Sequence, residues 1–219
     1  LVVSTGNGAQ DIGVFESESA NPVSFSVEWL EMTRISLTKK DVNTANPLAG
    51  AVYGVYTDKA CTTLLTKIDA TNASGKAVSD YFDANIKTVY VKEITAPTNY
   101  VLNETVYTVK VEAGNTISVD VTNKPVKGEI YINKIDMDTK DFISQGDADM
   151  TGAVYGLYAK SDIVHPDGKT GVLHKAGSLI AQGSINTKGE LSFKDLWLGE
   201  MYVKEISAPE GYTIDNTVY

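Results

Sequence analysis

The sequence predicts an all-β protein made of two tandem antiparallel β-sandwiches of the immunoglobulin-like class. Three observations support this fold class. The chain of 219 residues repeats itself, its β-branched and aromatic segments are short and separated by turn-forming residues, and no stretch keeps an apolar period of 3.6 over three helical turns. The 12 tyrosines and 18 glycines fit strands joined by tight turns.

The repeat consists of three motifs that recur in the same order. The matched pairs are ISLTKKD (35–41) with IYINKID (130–136), LAGAVYGVYTD (48–58) with MTGAVYGLYAK (150–160), and VYVKEITAPTNY (89–100) with MYVKEISAPEGY (201–212). The spacing between matched motifs grows along the chain, so the second copy carries extra residues. We place these insertions in loops around 137–149 and 161–178.

The repeat divides the chain into three parts. Residues 35–127 form the first predicted domain, and residues 128–219 form the second, which lacks the last hairpin of the first copy. Residues 13–27 align with 107–121 as strand, turn and strand. Residues 1–34 are therefore interpreted as the closing hairpin of a preceding repeat or a partial domain. Alternatively, this hairpin completes the sheet of a neighbouring molecule.

Five segments of the first domain have the length and composition of strands: 35–41, 51–57, 89–94, 106–112 and 116–123. Several short strands in a unit of this size predict a small sandwich with Greek-key-like connections. Almost no linker separates the two units at Lys127 and Gly128, so the tandem is expected to be rod-like.

Composition excludes several classes of function. Lys and Arg total 19 against 28 Asp and Glu, and a net charge of −9 repels nucleic-acid phosphates. No apolar run approaches the ~20 residues that cross a bilayer, so no membrane insertion is expected of this segment. Cys61 is the single cysteine and cannot form an internal disulfide, and two histidines cannot build a His-rich zinc site. No cofactor or metal motif is present, so none is predicted.

Charged and amide side chains continue the apolar rows of several strands. Because successive strand residues point to opposite faces, Lys39, Glu93 and Asn123 share faces with apolar residues of the first domain. Lys134 and Glu205 do the same in the second domain. For any one residue the ordinary alternative is a side chain that reaches solvent, or an Asn in a turn. The recurrence of Lys and Glu in both copies favours burial together.

Burial of these groups has a chemical consequence. Desolvation lowers the pKa of a lysine and raises that of a carboxylic acid, which favours a neutral amine beside a protonated acid. The amine is then a nucleophile, and the acid polarises an Asn carboxamide and shuttles protons as ammonia leaves. The predicted product is a Lys–Asn isopeptide bond that forms once, without a cofactor or another enzyme.

Four motifs, LTKKD, GAVYGVY, YVKEITAPTNYVL and VDVTNKP, resemble the Cna B-type, SpaA-like repeats of Gram-positive surface proteins and pilins. The resemblance covers about 35–219. It implies a prealbumin-like β-sandwich and a self-formed isopeptide bond from Lys to Asn or Asp, promoted by a nearby acid. At the matching positions it implies a crosslink between Lys39 and Asn123, with Glu93 as the catalytic acid.

The same resemblance assigns Lys134 as a crosslinking residue and Glu205 as a catalytic acid in the second copy. The matching acceptor position would lie beyond Tyr219, so no acceptor for Lys134 is assigned. Lys40 is an adjacent alternative nucleophile in the first copy. Its place in the strand puts it on the face opposite Leu37, so Lys39 is preferred.

The functional expectation is structural. The chain is interpreted as stalk modules of a Gram-positive adhesin or pilus-like protein, extracellular and cell-wall-anchored through a signal outside this sequence. Its partners would be adjacent repeats of the same protein, and it is not expected to be an enzyme beyond one self-crosslinking event. The alternative is a module that binds a host or matrix ligand through loops such as 59–88 or 161–190.

Overall fold

The computed structural model describes the strands β1 (Val2–Thr5) and β2 (Gly8–Asp11) and the continuous segment 31–219. The chain forms two compact units, Leu1–Leu30 and Glu31–Tyr219. In the first unit β1 and β2 pair in antiparallel register. The strand–turn–strand predicted at 13–27 lies outside the described residues.

The first domain of the larger unit contains eight strands. They are β3 (Met32–Asp41), β4 (Val52–Tyr56), β5 (Leu64–Ile68), β6 (Lys76–Val78), β7 (Phe82–Asp83), β8 (Thr88–Thr95), β9 (Tyr107–Lys110) and β10 (Thr116–Asn123). One sheet has the order β10-β3-β6, with β7 also paired to β3, and the other has the order β5-β4-β8-β9. All five predicted strands are confirmed, whereas β5, β6 and β7 were not predicted.

The first and last strands of this domain pair in parallel. Thr116 lies opposite Arg34, and the register continues to Asn123 opposite Asp41. The remaining pairs of the domain are antiparallel, as predicted. Parallel pairing brings the carboxyl ends of the first and last strands to the same end of the sheet. The residues that end these two strands therefore become neighbours.

The two sheets pack face to face around one apolar core. Alternate residues of each strand point inward, as the burial pattern of β3 shows by alternating between buried and half-buried positions. The core side chains are Ile35, Leu37, Tyr53, Val55, Ile68, Val89, Val91, Val109, Val119 and Val121. The predicted all-β sandwich is confirmed.

The second domain repeats this plan. Its strands are β11 (Lys127–Asn133), β12 (Val154–Ala159), β13 (Ile163–Val164), β14 (Val172–His174), β15 (Leu179–Ser184), β16 (Glu190–Trp197) and β17 (Met201–Ser207). One sheet pairs β11 with β16, the other has the order β15-β12-β17, and β13 and β14 form a separate hairpin. A second core contains Tyr155, Leu157, Phe193 and Val203.

Strand β11 corresponds to β3 and keeps only one of its neighbours. Strand β3 has β10 on one side and β6 with β7 on the other, whereas among the described residues β11 pairs with β16 alone. One edge of β11 thus has no strand partner in the described part of the chain. Within those residues, no helix is long and apolar enough to span a membrane.

Candidate functional site

The structure brings Lys39, Glu93 and Asn123 together in the core of the first domain. Lys39 comes from β3, Glu93 from β8 in the opposite sheet, and Asn123 from the end of β10. Their exposed fractions are 0%, 3% and 2%. Each continues an inward-facing apolar row of its strand, which is why alternation in the sequence located all three.

The Glu93 carboxylate lies between the other two groups. Its Oε1 is 2.8 Å from Lys39 Nζ, and its Oε2 accepts a hydrogen bond of 2.7 Å from Asn123 Nδ2. Asn123 Nδ2 also donates to the Val101 carbonyl at 2.6 Å, while Asn123 Oδ1 is buried without a hydrogen-bond partner. The amine and the carboxamide therefore contact the same carboxylate on its two oxygens.

Tyr53 completes the surroundings of the amine. Its hydroxyl is hydrogen-bonded to Lys39 Nζ, and its ring is fully buried in β4. Burial, followed by the charge of Glu93, raises the pKa of Tyr53 above its ordinary value, so the phenol stays neutral. Burial lowers the pKa of Lys39, and its contacts with Glu93 oppose this shift only in part. Lys39 therefore loses its proton and becomes a neutral amine more easily than an exposed lysine does.

The loop after β8 fixes the carboxylate. The Asn103 backbone N–H donates to Glu93 Oε2 at 2.7 Å. Its side-chain Nδ2 donates to the Thr122 carbonyl at 2.9 Å and to the Tyr107 hydroxyl at 3.1 Å. Asn103 therefore ties the carboxylate of one sheet to the last strand of the other.

The second domain repeats part of this arrangement. Lys134 Nζ lies 3.1 Å from Glu205 Oε1, and the Asp215 N–H donates to Glu205 Oε2 at 2.6 Å, as Asn103 does to Glu93. The side chain of Lys134 is 11% exposed and that of Glu205 is fully buried. Burial and then the charge of Glu205 raise the pKa of Tyr155, which occupies the position of Tyr53.

A groove of about 510 Å³ runs beside this second pair. It is lined by β11 from Ile130 to Ile135, by Tyr155 and β17, and by Asp215 and Tyr219. It lies on the strand whose counterpart in the first domain is covered by β10. The structure therefore brings Lys134 and Glu205 together but assigns them no acceptor.

Comparison with known protein families shows to which family this chain is related. The model of the SpaA prealbumin-like fold domain matches residues 33–125 and again residues 128–219. The chain belongs to this family. The resemblance read from the four motifs is confirmed, and both SpaA domains fall within the unit Glu31–Tyr219.

One solved structure shares the fold of this chain, and two others match it with lower TM-scores. The Bacillus anthracis TIE protein matches at 25% identity and a TM-score of 0.60, over 86% of this chain and 30% of that protein. A streptococcal ancillary pilin matches at 15% identity with a TM-score of 0.39, over 86% and 58% of the two chains. The major pilin BcpA of Bacillus cereus matches at 13% identity with a TM-score of 0.34, over 86% of this chain and 94% of that chain.

The chain thus spans less than two thirds of the first two solved structures that it matches. No curated protein matches it significantly.

Sequence reasoning missed two parts of the site in the SpaA domains. Tyr53 and Tyr155 occupy the same place in the repeated GAVYG motif, and Asn103 and Asp215 the same place four residues before a repeated Tyr. The recurrence of these residues in both copies was a signal that could have identified them.

Lys40, the alternative nucleophile, is exposed. In the described residues no group of three or more His, Cys, Asp or Glu side chains could hold a metal ion.

Proposed function

We propose that the chain forms structural stalk modules of a Gram-positive adhesin or pilus-like surface protein, and that its first domain is closed by a self-formed Lys39–Asn123 isopeptide bond. The observation that carries the proposal is the buried Glu93 carboxylate, which contacts Lys39 Nζ and Asn123 Nδ2 at 2.8 and 2.7 Å. Membership of the SpaA family supports it.

The reaction begins with a proton transfer inside the buried pair. Lys39 passes a proton to Glu93 across their 2.8 Å contact, which replaces two buried charges by two neutral groups. The neutral amine attacks Asn123 Cγ and forms the new C–N bond. The protonated Glu93 donates to Asn123 Oδ1, which has no competing hydrogen-bond partner.

The leaving group departs as ammonia. Glu93 takes a proton from the attached amine and delivers it to Asn123 Nδ2, with which it is already hydrogen-bonded. The Cγ–Nδ2 bond then breaks, and the carbonyl re-forms as the Oδ1 hydroxyl returns its proton to Glu93. The departing ammonia takes this proton from Glu93 and leaves as ammonium. Glu93 ends the sequence in its starting state, and the protein has lost one NH₃, about 17 Da.

The bond would join the first and last strands of the domain. Tension that enters through β3 and leaves through β10 would then pass through a covalent link rather than through the intervening sheets. In the loop-entropy model for crosslinks, closing a loop approaching 100 residues stabilises the fold by about 4–5 kcal/mol. The chain has one cysteine, so no disulfide within it can supply such a crosslink.

The test is the intact mass of the purified chain under denaturing conditions. The proposal predicts a deficit of about 17 Da that disappears in Lys39→Ala and persists in Lys40→Ala, whose side chain is exposed in the same strand. Digestion should then yield one branched peptide that joins 39 to 123. A full unmodified mass in a folded sample would contradict the crosslink.

A further inference from the structure

The second domain carries a hairpin that the first domain lacks. Residues 160–178, called here the inserted hairpin, contain β13 and β14 and join β12 to β15. In the first domain the corresponding strands β4 and β5 are joined by the short segment 57–63. This hairpin falls in an insertion predicted from the repeat, and its structure gives that insertion a specific contact.

The tip of the inserted hairpin binds a turn of the first domain. Asp167 Oδ2 accepts hydrogen bonds from Thr44 Oγ1 at 3.0 Å and from Asn46 Nδ2 at 2.9 Å. Asn46 Nδ2 also lies 3.3 Å from Thr170 Oγ1. The Asp167 side chain is fully buried. Burying a carboxylate costs much free energy unless hydrogen-bond donors surround it. The donors around Asp167 therefore make this a specific contact between the two domains.

The hairpin itself holds Asp167 ready for this contact. Asp167 Oδ1 accepts from the N–H groups of Lys169 and Thr170, both at 2.9 Å, and Oδ2 accepts from Thr170 Oγ1 at 2.6 Å. Burial alone would raise the pKa of Asp167, but the hydrogen bonds from Asn46, Thr170 and the backbone hold it far below its ordinary value. The group stays a carboxylate and an acceptor.

A second contact lies beside the first. The His165 side chain is 3% exposed, its ring centroid is 4.7 Å from that of Trp197, and its Nε2 is 4.0 Å from Asp41 Oδ2. Lys127, between the two domains in sequence, places its ammonium over the same Trp197 ring. His165 and Asp167 of the hairpin are thus both buried at the contact with the first domain.

The turn of the first domain that contacts the hairpin, residues 41–46, has a counterpart in the second domain at residues 136–141. Asp41 Oδ1 accepts from the N–H groups two and three residues later, at 2.7 and 3.0 Å, and Asp136 Oδ1 does the same at 2.8 and 2.9 Å. Both turns contain a residue with positive φ, Ala45 at 59° and Lys140 at 58°. We call residues 41–46 the Asp41 turn and residues 136–141 the Asp136 turn.

The two turns differ at the position that meets Asp167. The Asp41 turn has the amide of Asn46 there, whereas the Asp136 turn has the carboxylate of Asp141. Thr44 and Asn46 are half-buried under the hairpin, while Thr139 and Asp141 are exposed. With an aspartate at position 46, two carboxylates would face each other within hydrogen-bond distance, without a proton to share at neutral pH.

We propose that the inserted hairpin is a module-docking element whose partner is the Asp41 turn of the preceding SpaA domain, and that the amide at position 46 determines this recognition. A turn of the Asp136 type, with a carboxylate at that place, rejects the same hairpin. Successive modules are thereby matched in order, and the two domains of this chain are held in one orientation. The inference does not depend on the isopeptide bond.

The test measures the distance between the two domains in the full chain. Spin labels are attached through Lys59→Cys in the first domain and Lys188→Cys in the second, both exposed positions, with Cys61→Ser to remove the native thiol. Pulsed electron paramagnetic resonance then gives the distribution of distances. The parent chain is expected to show one narrow distribution.

Four variants test the assigned contact. Asp167→Ala and Asn46→Asp should each at least double the width of the distribution. The exchange Asn46→Asp with Asp167→Asn restores an amide opposite a carboxylate and should return the width to that of the parent. Asp162→Ala is the matched control, because Asp162 bonds Lys175 and the Ala176 N–H within the same hairpin and should leave the width unchanged.

The outcomes separate clearly. Narrow distributions in both single variants would overturn the proposal that Asp167 and Asn46 hold the domains. If the distance distribution is broad in both single variants and equally broad in the exchange variant, the role of the amide in recognition is overturned. Circular dichroism of each variant verifies folding, and Asn46→Asp, in a half-buried turn, serves as the independent single change if Asp167→Ala fails to fold.

Discussion

The carboxamide of Asn123 and the carboxylate of Glu93 meet at 2.7 Å across the two sheets of the first domain. This contact exists because β10 pairs in parallel with β3, so the last strand ends beside the strand that carries Lys39. A sheet edge strand thereby brings an electrophile to a buried acid.

Glu93→Gln should abolish the mass loss of about 17 Da, because glutamine keeps the shape of the side chain but cannot carry a proton between the amine and the amide. Intact mass spectrometry measures the result. The matched control is Glu104→Gln, an exposed acid that pairs with Lys92 and should leave the mass deficit in place. A deficit that survives in Glu93→Gln would remove Glu93 from the proposed mechanism.

Tyr53→Phe should slow crosslinking without abolishing it. The change removes the hydroxyl that contacts Lys39 Nζ and leaves the ring in the core, so stability should fall by about 1 kcal/mol. The measurement is the mass deficit as a function of time after refolding from denaturant. Tyr56→Phe, in the same strand and only half-buried, should follow the parent time course.

The unpaired edge of β11 should be visible in hydrogen exchange. Backbone amides of β11 that point away from β16 have no strand partner among the described residues, whereas the matching amides of β3 bond to β10. We expect the former to exchange at least about 100-fold faster than the latter, since a sheet hydrogen bond must open before exchange. Equal protection of the two strands would show that another segment covers β11.

The stability of the second domain should depend on the ionisation of Asp136. The Thr139 N–H is the first of several donors that lower the pKa of Asp136 to about 2. A carboxyl with a lowered folded-state pKa stabilises the fold above its unfolded value of about 3.9, and this contribution is lost as the pH falls through the folded value. The stability difference between the parent and Asp136→Asn should therefore shrink between about pH 4 and pH 2.

Thermal unfolding followed by circular dichroism gives this difference at each pH. Asp138→Asn is the control, because Asp138 lies in the same turn with an exposed side chain. A difference that stays constant down to pH 2 would contradict the assigned role of Asp136.

The sequence carried the local features of the fold and little of its long-range pairing. Strand alternation was enough to place Lys39, Glu93 and Asn123 inward, because a period of two is a property of each strand alone. Tyr53 was missed because an aromatic residue in a strand is usually core, and only its contact with Lys39 shows another role. The parallel register of β3 and β10 is a non-local feature, and the sequence of neither strand alone indicates it.

The inserted hairpin shows the same limit. Its position followed from the unequal spacing of the repeats, but its contact depends on Asp167 meeting Asn46, far away in sequence. No sequence pattern predicted that His165 and Trp197 pack on each other at the contact between domains. Side chains at such a contact have no periodicity to reveal them.

Gly75→Ala provides a test of how the backbone positions Lys39. Gly75 has φ of +69°, its carbonyl accepts the Lys39 N–H at 2.7 Å, and a Cβ placed there would collide with the Lys39 carbonyl oxygen. The obstacle is backbone rather than a flexible side chain, so strand β3 must shift. The matched control is Gly114→Ala, with φ of +72° and open space around the added methyl group.

Both changes should cost about 1–2 kcal/mol for an alanine in the left-handed region. Gly75→Ala should cost about 1–3 kcal/mol more, because the collision adds to that penalty. It should also slow the loss of ammonia, since a shift of β3 moves the amine away from the Glu93 carboxylate, whereas Gly114→Ala should crosslink at the parent rate. Chemical denaturation and the refolding mass time course measure the two effects. Equal behaviour of the two variants would show that β3 tolerates the displacement and that the Gly75 contact does not position Lys39.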